Sequence, residues 1–179
     1  MKKRKILLFA ALLALLQCAE LDFVYDNPCD ETGTNYQGCG EGDDSYVYSG
    51  GTVRIGNQTW MAKNLDRATK NSKCYENSPD SCAKYGRLYT WTDARKACPS
   101  GWHLPSGAEW TQLTDFVGGA STAGRKLKST SGWNYNGNGT DEYGFSALPG
   151  GNGSSGGNFS SAGNYGYWWS ATEDNANIA

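Results

Sequence analysis

The thirteen residues from Cys98 to Trp110 constrain the backbone more than any other stretch of the chain. They contain two prolines and a capping box, in which the Ser106 oxygen accepts from the amide of Glu109 and the glutamate reaches back to the amide of Ser106. Apolar residues then recur at helical spacing until two glycines follow, at Trp110, Leu113, Phe116 and Val117. The pattern predicts an extended approach to a short amphipathic helix that ends before Gly118.

Two segments flanking this helix carry further local signals. Gly56-Asn57 separates residues 53–55 from residues 58–61, which predicts two short strands joined by a two-residue β-hairpin turn. Residues 129–166 are rich in glycine, asparagine and serine, which predicts a long loop region of the kind that commonly carries function.

Two more short helices are predicted from capping residues. One spans Thr92 to Ala97 with Thr92 or Asp93 as its cap, and the other follows the central helix with Ser121 or Thr122 as its cap.

The first seventeen residues are typical of an export signal. Four basic residues precede eleven apolar residues at 6–16, a run too short to span a bilayer as a helix. The sequence Leu15-Leu16-Gln17-Cys18 resembles a bacterial lipobox, with Gln17 in place of the usual small residue. We therefore expect residues 1–17 to be removed and Cys18 to carry acyl chains such as palmitate, which would anchor the protein to a membrane. Cleavage without lipid stays open.

Charge divides the remaining chain into a tether and a domain. Residues 19–50 hold eight acidic residues and no basic one, so segment 18–50 is predicted to be a flexible acidic tether. Residues 51–179 are predicted to be one folded domain. Its basic residues are few and scattered, which argues against nucleic acid as a partner.

The six cysteines are consistent with an exported protein. Cys29 and Cys39 are predicted to close one small disulfide loop, and Cys74 and Cys82 another. Zinc is disfavoured because neither pair has Cys-x-x-Cys spacing or a neighbouring histidine. If Cys18 carries lipid, Cys98 is left over.

Several blocks together resemble one family. The central block Gly101-Trp102-His103-Leu104-Pro105-Ser106 occurs with 60–65, 82–91, 126–129, 144–151 and 168–170 in the same order. This arrangement resembles the Fibrobacter succinogenes major paralogous domain, found in secreted and surface proteins, and its core is also similar to formylglycine-generating and sulfatase-modifying domains. The resemblance implies a C-type-lectin-like α+β fold, with short helices on small antiparallel sheets and a long Gly/Asn/Ser-rich loop region.

The resemblance also implies that strands are missing. The family pattern continues past Trp168-Trp169-Ser170 to a final Arg-Cys. We therefore expect a copy that is incomplete at its C-terminus, with Cys98 unpaired because its partner cysteine is absent, and with the Trp168-Trp169 strand left as an exposed edge.

Catalytic groups are scarce in this sequence. His103, the only histidine, lies in a rigid segment without an evident orienting partner, so we interpret it as a hydrogen-bonded structural imidazole. It stands where the sulfatase-modifying motif has an arginine, and the catalytic cysteines of that family have no counterpart here. The prediction is that the protein is not an enzyme.

Two candidate ligand sites lie in the long loop region. Trp133, Tyr135 and Tyr143 offer flat rings near amide side chains, an arrangement that suits stacking against sugars. An oxygen-rich cluster could bind calcium, although a solvated loop explains it equally simply; its members are Asn136, Asn138, Asp141 and Glu142. No other cofactor is predicted.

The sequence thus predicts a lipid-anchored envelope protein at the outer membrane or cell surface. Its domain is expected to act in adhesion or non-catalytic binding, with a polysaccharide as the candidate ligand and residues 133–165 as the binding face. Two alternatives remain: an enzyme or accessory of the sulfatase-modifying fold, and a purely structural surface protein.

Overall fold

The computed structural model describes residues 12–20, 48–154 and 156–173, without the side chains of 12–14. Within these ranges the strands are β1 Leu12–Leu15, β2 Ala19–Glu20, β3 Thr52–Ile55, β4 Gln58–Met61, β5 Leu88–Tyr89, β6 Trp102–His103, β7 Gly150–Ser154 and β8 Phe159–Ala162. The helices are α1 Pro79–Tyr85, α2 Trp91–Ala97, α3 Gly107–Phe116 and α4 Ala120–Leu127.

The predicted α+β class is confirmed by these short helices and small sheets, whereas the C-type-lectin-like assignment stays a prediction. In the described part of the chain no helix is long and apolar enough to cross a membrane. The predicted Cys29–Cys39 disulfide and most of the predicted leader and tether lie outside the described residues.

Two antiparallel sheets organise the fold, and the N-terminal segment contributes an inner strand to each. Their strand orders are β5-β1-β7-β8 and β3-β4-β2-β6. Leu15 and Leu16, at the junction of β1 and β2, are fully buried. The apolar run that predicts an export signal is therefore also suited to a buried strand, because a strand that is buried on both faces needs apolar side chains.

The predicted hairpin is confirmed. Ile55 pairs with Gln58 across a turn at Gly56, whose φ of +64° favours glycine. Trp60 on β4 is completely buried and lies 4.8 Å from the Trp110 ring on α3 and 5.7 Å from Phe145. This aromatic cluster joins the hairpin to the central helix.

The capping box that starts α3 is also confirmed. The Ser106 oxygen accepts from the Glu109 amide at 3.3 Å, and the Glu109 carboxylate accepts from the Ser106 amide at 2.7 Å. Leu113 and Val117 face the core. The helix is thus held at its start by local polar contacts and along its length by apolar burial.

The predicted caps of the two flanking helices are wrong. Helix α2 begins at Trp91, so the preceding Thr90 is its cap and accepts from the amide of Asp93. The Asp93 carboxylate instead binds the Thr69 hydroxyl and the Asn71 amide. Helix α4 begins after Gly119, whose φ is +88°, without a side-chain cap.

The predicted disulfide between Cys74 and Cys82 is confirmed. The prediction that Cys98 is unpaired is wrong, because Cys98 is bonded to Cys18 with a Cα–Cα distance of 6.0 Å. Strand β2 pairs with β6, opposing Ala19 to His103, and so brings Cys18 beside Cys98. A sulfur atom in a disulfide cannot also carry a lipid thioether, so lipidation of Cys18 stays a prediction for a chain in which Cys18 is not bonded to Cys98.

The expectation of an exposed edge at Trp168-Trp169 is also wrong. The amide of Leu15 donates to the carbonyl of Tyr167 at 3.0 Å, and the amide of Trp169 donates to the carbonyl of Leu15 at 3.4 Å. The N-terminal segment therefore covers this edge.

The region predicted to be a long loop contains the hairpin of β7 and β8. A β-carbon on Gly150 would lie 2.8 Å from a Leu15 methyl carbon, and Gly151 has a φ of +65°. A β-carbon on Gly151 would also collide with the backbone of Ser160 and Ala162 on β8, so glycine is required at this position, although glycine-rich sequence normally argues against a strand.

Candidate functional site

A carboxylate and an imidazole meet at the start of α3. His103 Nε2 lies 2.6 Å from Glu109 Oε1, while the other carboxylate oxygen, Oε2, accepts from both the amide and the hydroxyl of Ser106 at 2.7 Å. The predicted hydrogen-bonded role of His103 is confirmed, and its partner is the capping glutamate, which the sequence reasoning did not connect with it.

This arrangement changes the pKa of Glu109. Partial burial by itself would raise it, but the hydrogen bonds from His103 and from the amide and hydroxyl of Ser106 outweigh burial and lower the pKa from 4.5 to about 2. Glu109 is therefore a carboxylate at neutral pH, bound on one side by the helix cap and on the other by the imidazole.

The hydroxyl that meets this pair belongs to Ser106 and is part of the helix cap, since it donates to Glu109 Oε2 and accepts from the Glu109 amide. His103 Nδ1 is buried without a hydrogen-bond partner in the described part of the chain, and the disulfide to Cys18 removes Cys98 as a thiol. A groove of about 790 Å³ runs beside α3, but its lining does not include His103 or Glu109. The imidazole, the carboxylate and the Ser106 hydroxyl thus lie together at the start of α3, but none of them lines this groove.

The floor of this groove contains a buried amide. Gln58 is 6% exposed, and its Nε2 donates to the backbone carbonyl of Glu109 at 3.1 Å. The Gln58 carbonyl oxygen has no partner among the described residues. The contact ties the β3–β4 hairpin to α3, and the rim of the groove carries the half-exposed ring of Phe116.

Trp133 and Tyr143, two of the three aromatic residues predicted to bind ligand, are engaged within the protein. Trp133 Nε1 donates to the Ser129 hydroxyl and to the Ala147 carbonyl, and Lys128 Nζ lies 4.1 Å from the ring centroid. Tyr143 packs edge-to-face against Phe116 at 6.0 Å. These contacts favour structural roles for both rings.

Tyr135, the third predicted residue, is exposed. Its side chain is 93% exposed. The neighbouring residue Asn134 is hydrogen-bonded to a second loop: its backbone amide donates to the Gly163 carbonyl at 2.7 Å, and its Nδ2 donates to the Asn164 side chain at 3.2 Å. That loop presents Tyr165, which is 59% exposed and stacks on Tyr167 at 6.1 Å. We call the surface formed by Tyr135, Tyr165, Asn134 and Asn164 the tyrosine face.

The sequence indicated residues 133–165 as the binding face but did not single out Tyr165 within it. Its position directly after Gly163-Asn164 was a signal for a turn, and a large ring that follows a turn is often displayed on the surface.

The predicted calcium ligands do not form a metal site. Both Asp141 oxygens accept from Ser146, at 2.7 and 2.6 Å, and Glu142 pairs with Lys126 at 3.3 Å. Asn138 Oδ1 accepts from the Trp133 amide, and Asn136 is exposed. Among the described residues no three His, Cys, Asp or Glu side chains are grouped so that they could hold a metal ion. The oxygen atoms are used to fix the loop.

The sequence of this chain matches the model of one protein family. The sequence model of the Fibrobacter succinogenes major domain matches residues 53–179. The chain belongs to the Fibrobacter succinogenes major domain family. The predicted resemblance is thereby confirmed, and the family domain includes the β3–β4 hairpin, the capping box of α3 and the tyrosine face. Comparisons with curated proteins and with solved structures gave no match.

Proposed function

We propose that this member of the Fibrobacter succinogenes major domain family is an exported, non-catalytic domain that binds carbohydrate through the tyrosine face. One observation carries the proposal: two largely exposed tyrosine rings lie on loops that are hydrogen-bonded to each other and flanked by amide side chains. Rings of this kind offer apolar faces to the C–H groups of a sugar, and amides exchange hydrogen bonds with its hydroxyl groups.

The binding loops are held in place by the protein itself. Trp133 anchors the start of the first loop through its indole N–H, and Asn134 joins it to the second through the contacts to Gly163 and Asn164. A face that is fixed before the ligand arrives loses less conformational entropy on binding. This rigidity supports recognition of an extended, polyhydroxylated surface.

Two features of the cysteines support export. The structure contains the Cys74–Cys82 disulfide and a second one that joins Cys18 to Cys98, eighty residues apart. Disulfides persist in oxidising compartments and are rare in the cytosol. A location at the cell surface stays a prediction from the sequence.

The non-catalytic part of the proposal is supported by the state of the histidine–carboxylate pair. Glu109 is engaged by both groups of Ser106 and by His103. A general base has to reach a substrate proton, and this carboxylate is committed to the helix cap.

Affinity electrophoresis tests the binding. Native gels containing soluble xylan, pectin or a soluble cellulose derivative are expected to retard the wild-type protein. Tyr135→Ala and Tyr165→Ala are each expected to weaken retardation about 3- to 10-fold, which is the loss expected for one aromatic stacking contact.

Phe116→Ala is the matched control, because Phe116 is 55% exposed but lies on α3 outside the tyrosine face. It should leave retardation unchanged. Mobility that no glycan alters, or retardation that Tyr135→Ala does not weaken, would refute the proposal.

A further inference from the structure

The N-terminal segment fills a slot between two strands of the fold. Along β1, Ala14 and Leu15 pair with Tyr89 and Leu88 of β5, while the preceding residues of β1 pair with Gly153 and Ser154 of β7. Both pairings are antiparallel. We call the space occupied by residues 12–17 the strand slot, and a strand in it satisfies backbone groups on two neighbouring strands at once.

The strand slot also recognises side chains. Leu15 is 0% exposed and packs with Leu88, whereas Leu16 is 0% exposed and packs in a different cluster that contains Met61 and Leu65. Consecutive residues of an extended segment point to opposite sides, so the slot buries a bulky aliphatic group on each side. Its occupant must therefore carry two adjacent aliphatic residues.

A polar contact completes the recognition. Gln17 is 2% exposed, and its side-chain amide donates to the Met61 carbonyl. The Leu16 carbonyl accepts from the Leu65 amide at 2.7 Å. An amide side chain directly after the aliphatic pair satisfies a carbonyl in the core, which an apolar residue at that position would leave unpaired.

Export processing would empty the slot. Cleavage without lipid, the alternative that is compatible with the disulfide from Cys18 to Cys98, would remove residues 1–17, which comprise the whole slot occupant, while this disulfide just beyond the cut would remain. Strands β5 and β7 would then present unpaired edges, and the pockets of Leu15 and Leu16 would be empty. Such an opening favours pairing with an extended segment from elsewhere.

We propose that the strand slot is an acceptor site, which in the exported protein takes an extended apolar strand from a polypeptide different from this chain. The partner strand has two adjacent aliphatic residues followed by an amide side chain and lies antiparallel to β5 and β7. The inference rests on export but not on carbohydrate binding, because the tyrosine face lies on other loops.

An exchange experiment on the full chain tests the acceptor site. A specific protease site is inserted within residues 21–47, and Cys18→Ser with Cys98→Ser removes the covalent tie. After cleavage, a labelled synthetic peptide of residues 10–20, carrying the Cys18→Ser change, is added in excess. When the original fragment is washed away, the melting temperature of the domain should fall by about 10 °C or more. We expect one added peptide to bind per domain and to restore the original melting temperature.

The control peptide carries Leu15→Asp and Leu16→Asp and should bind at least about 100-fold more weakly, since its charges would be buried. Equal binding of both peptides, or a melting temperature that does not change when the fragment leaves, would overturn the proposal. Uptake of the segment from a second copy of the uncut chain, seen as a dimer, would show that this chain supplies its own donor and would likewise overturn it.

Two measurements on the wild-type protein keep the inference testable if the serine variant does not fold. Hydrogen exchange should show strong protection of the Leu15 and Leu65 amides in the full chain, since these donate to Tyr167 and Leu16 carbonyls. N-terminal sequencing of protein isolated from the cell envelope should find a chain that begins after Gln17. Rapid exchange at both amides, or a mature chain that retains residues 12–17, would contradict the proposal.

Discussion

Protonation of Glu109 is expected to remove part of the stability of the folded domain. Its pKa is lowered from 4.5 to about 2 in the folded state. Because the pKa is depressed, the contribution of ionised Glu109 to the free energy of unfolding is complete above pH 4.5, declines as the pH falls and is absent below about pH 2. This lowering of the Glu109 pKa corresponds to at most about 3 kcal/mol in the free energy of unfolding. Because the His103 and Glu109 side chains are each 28% exposed, we expect screening to reduce it to about 1–2 kcal/mol.

Urea unfolding of the wild type and of Glu109→Gln between about pH 2 and pH 7 measures this contribution. Glutamine keeps the reciprocal capping geometry but carries no charge. The wild type should be more stable by about 1–2 kcal/mol at neutral pH, and the difference should shrink towards zero at the acidic end.

The matched control is Glu142→Gln, because Glu142 is 46% exposed and pairs with Lys126 on the surface. It should change stability by less than about 0.5 kcal/mol at neutral pH. A difference between wild type and Glu109→Gln that stays constant across the pH range would show that the charge of Glu109 is not responsible.

Three further changes probe the fold. Leu113→Ala should cost about 2–5 kcal/mol in denaturant unfolding, because Leu113 is fully buried, and a loss below about 1 kcal/mol would contradict its place in the core. Replacing Cys74 and Cys82 together by serine should lower stability by about 2–3 kcal/mol without changing the far-UV circular dichroism, as expected for opening a short loop. Thr90→Ala should lower the free energy of unfolding by about 1 kcal/mol and Thr92→Ala by much less. A larger loss for Thr92→Ala would show that Thr92, as predicted from the sequence, is the cap.

The features predicted correctly depend on contacts between residues close in sequence. The capping box requires only Ser106 and Glu109, three positions apart, and the hairpin turn requires only Gly56-Asn57 between alternating runs. The Cys74–Cys82 disulfide is similarly local, with a separation of eight residues. Family membership was also recognisable, since it rests on blocks of sequence in a given order.

The features predicted wrongly depend on contacts between distant residues. Cys98 was predicted to be unpaired, but it is bonded to Cys18, eighty residues away in the sequence. For the candidate site, the sequence indicated exposed aromatic loops but could not separate Tyr135 from Trp133, because the indole N–H of Trp133 is taken up by Ser129 and Ala147.

The N-terminal segment marks the division between what sequence and tertiary structure determine. Composition alone determined that residues 6–16 are apolar and avoid water, and an export signal and a buried strand share that requirement. Only the tertiary structure decided that β1 lies between β5 and β7, and that Cys18 meets Cys98 eighty residues away. The physical reason is that hydrophobicity has no direction, whereas strand pairing and disulfide geometry depend on where the rest of the chain has folded.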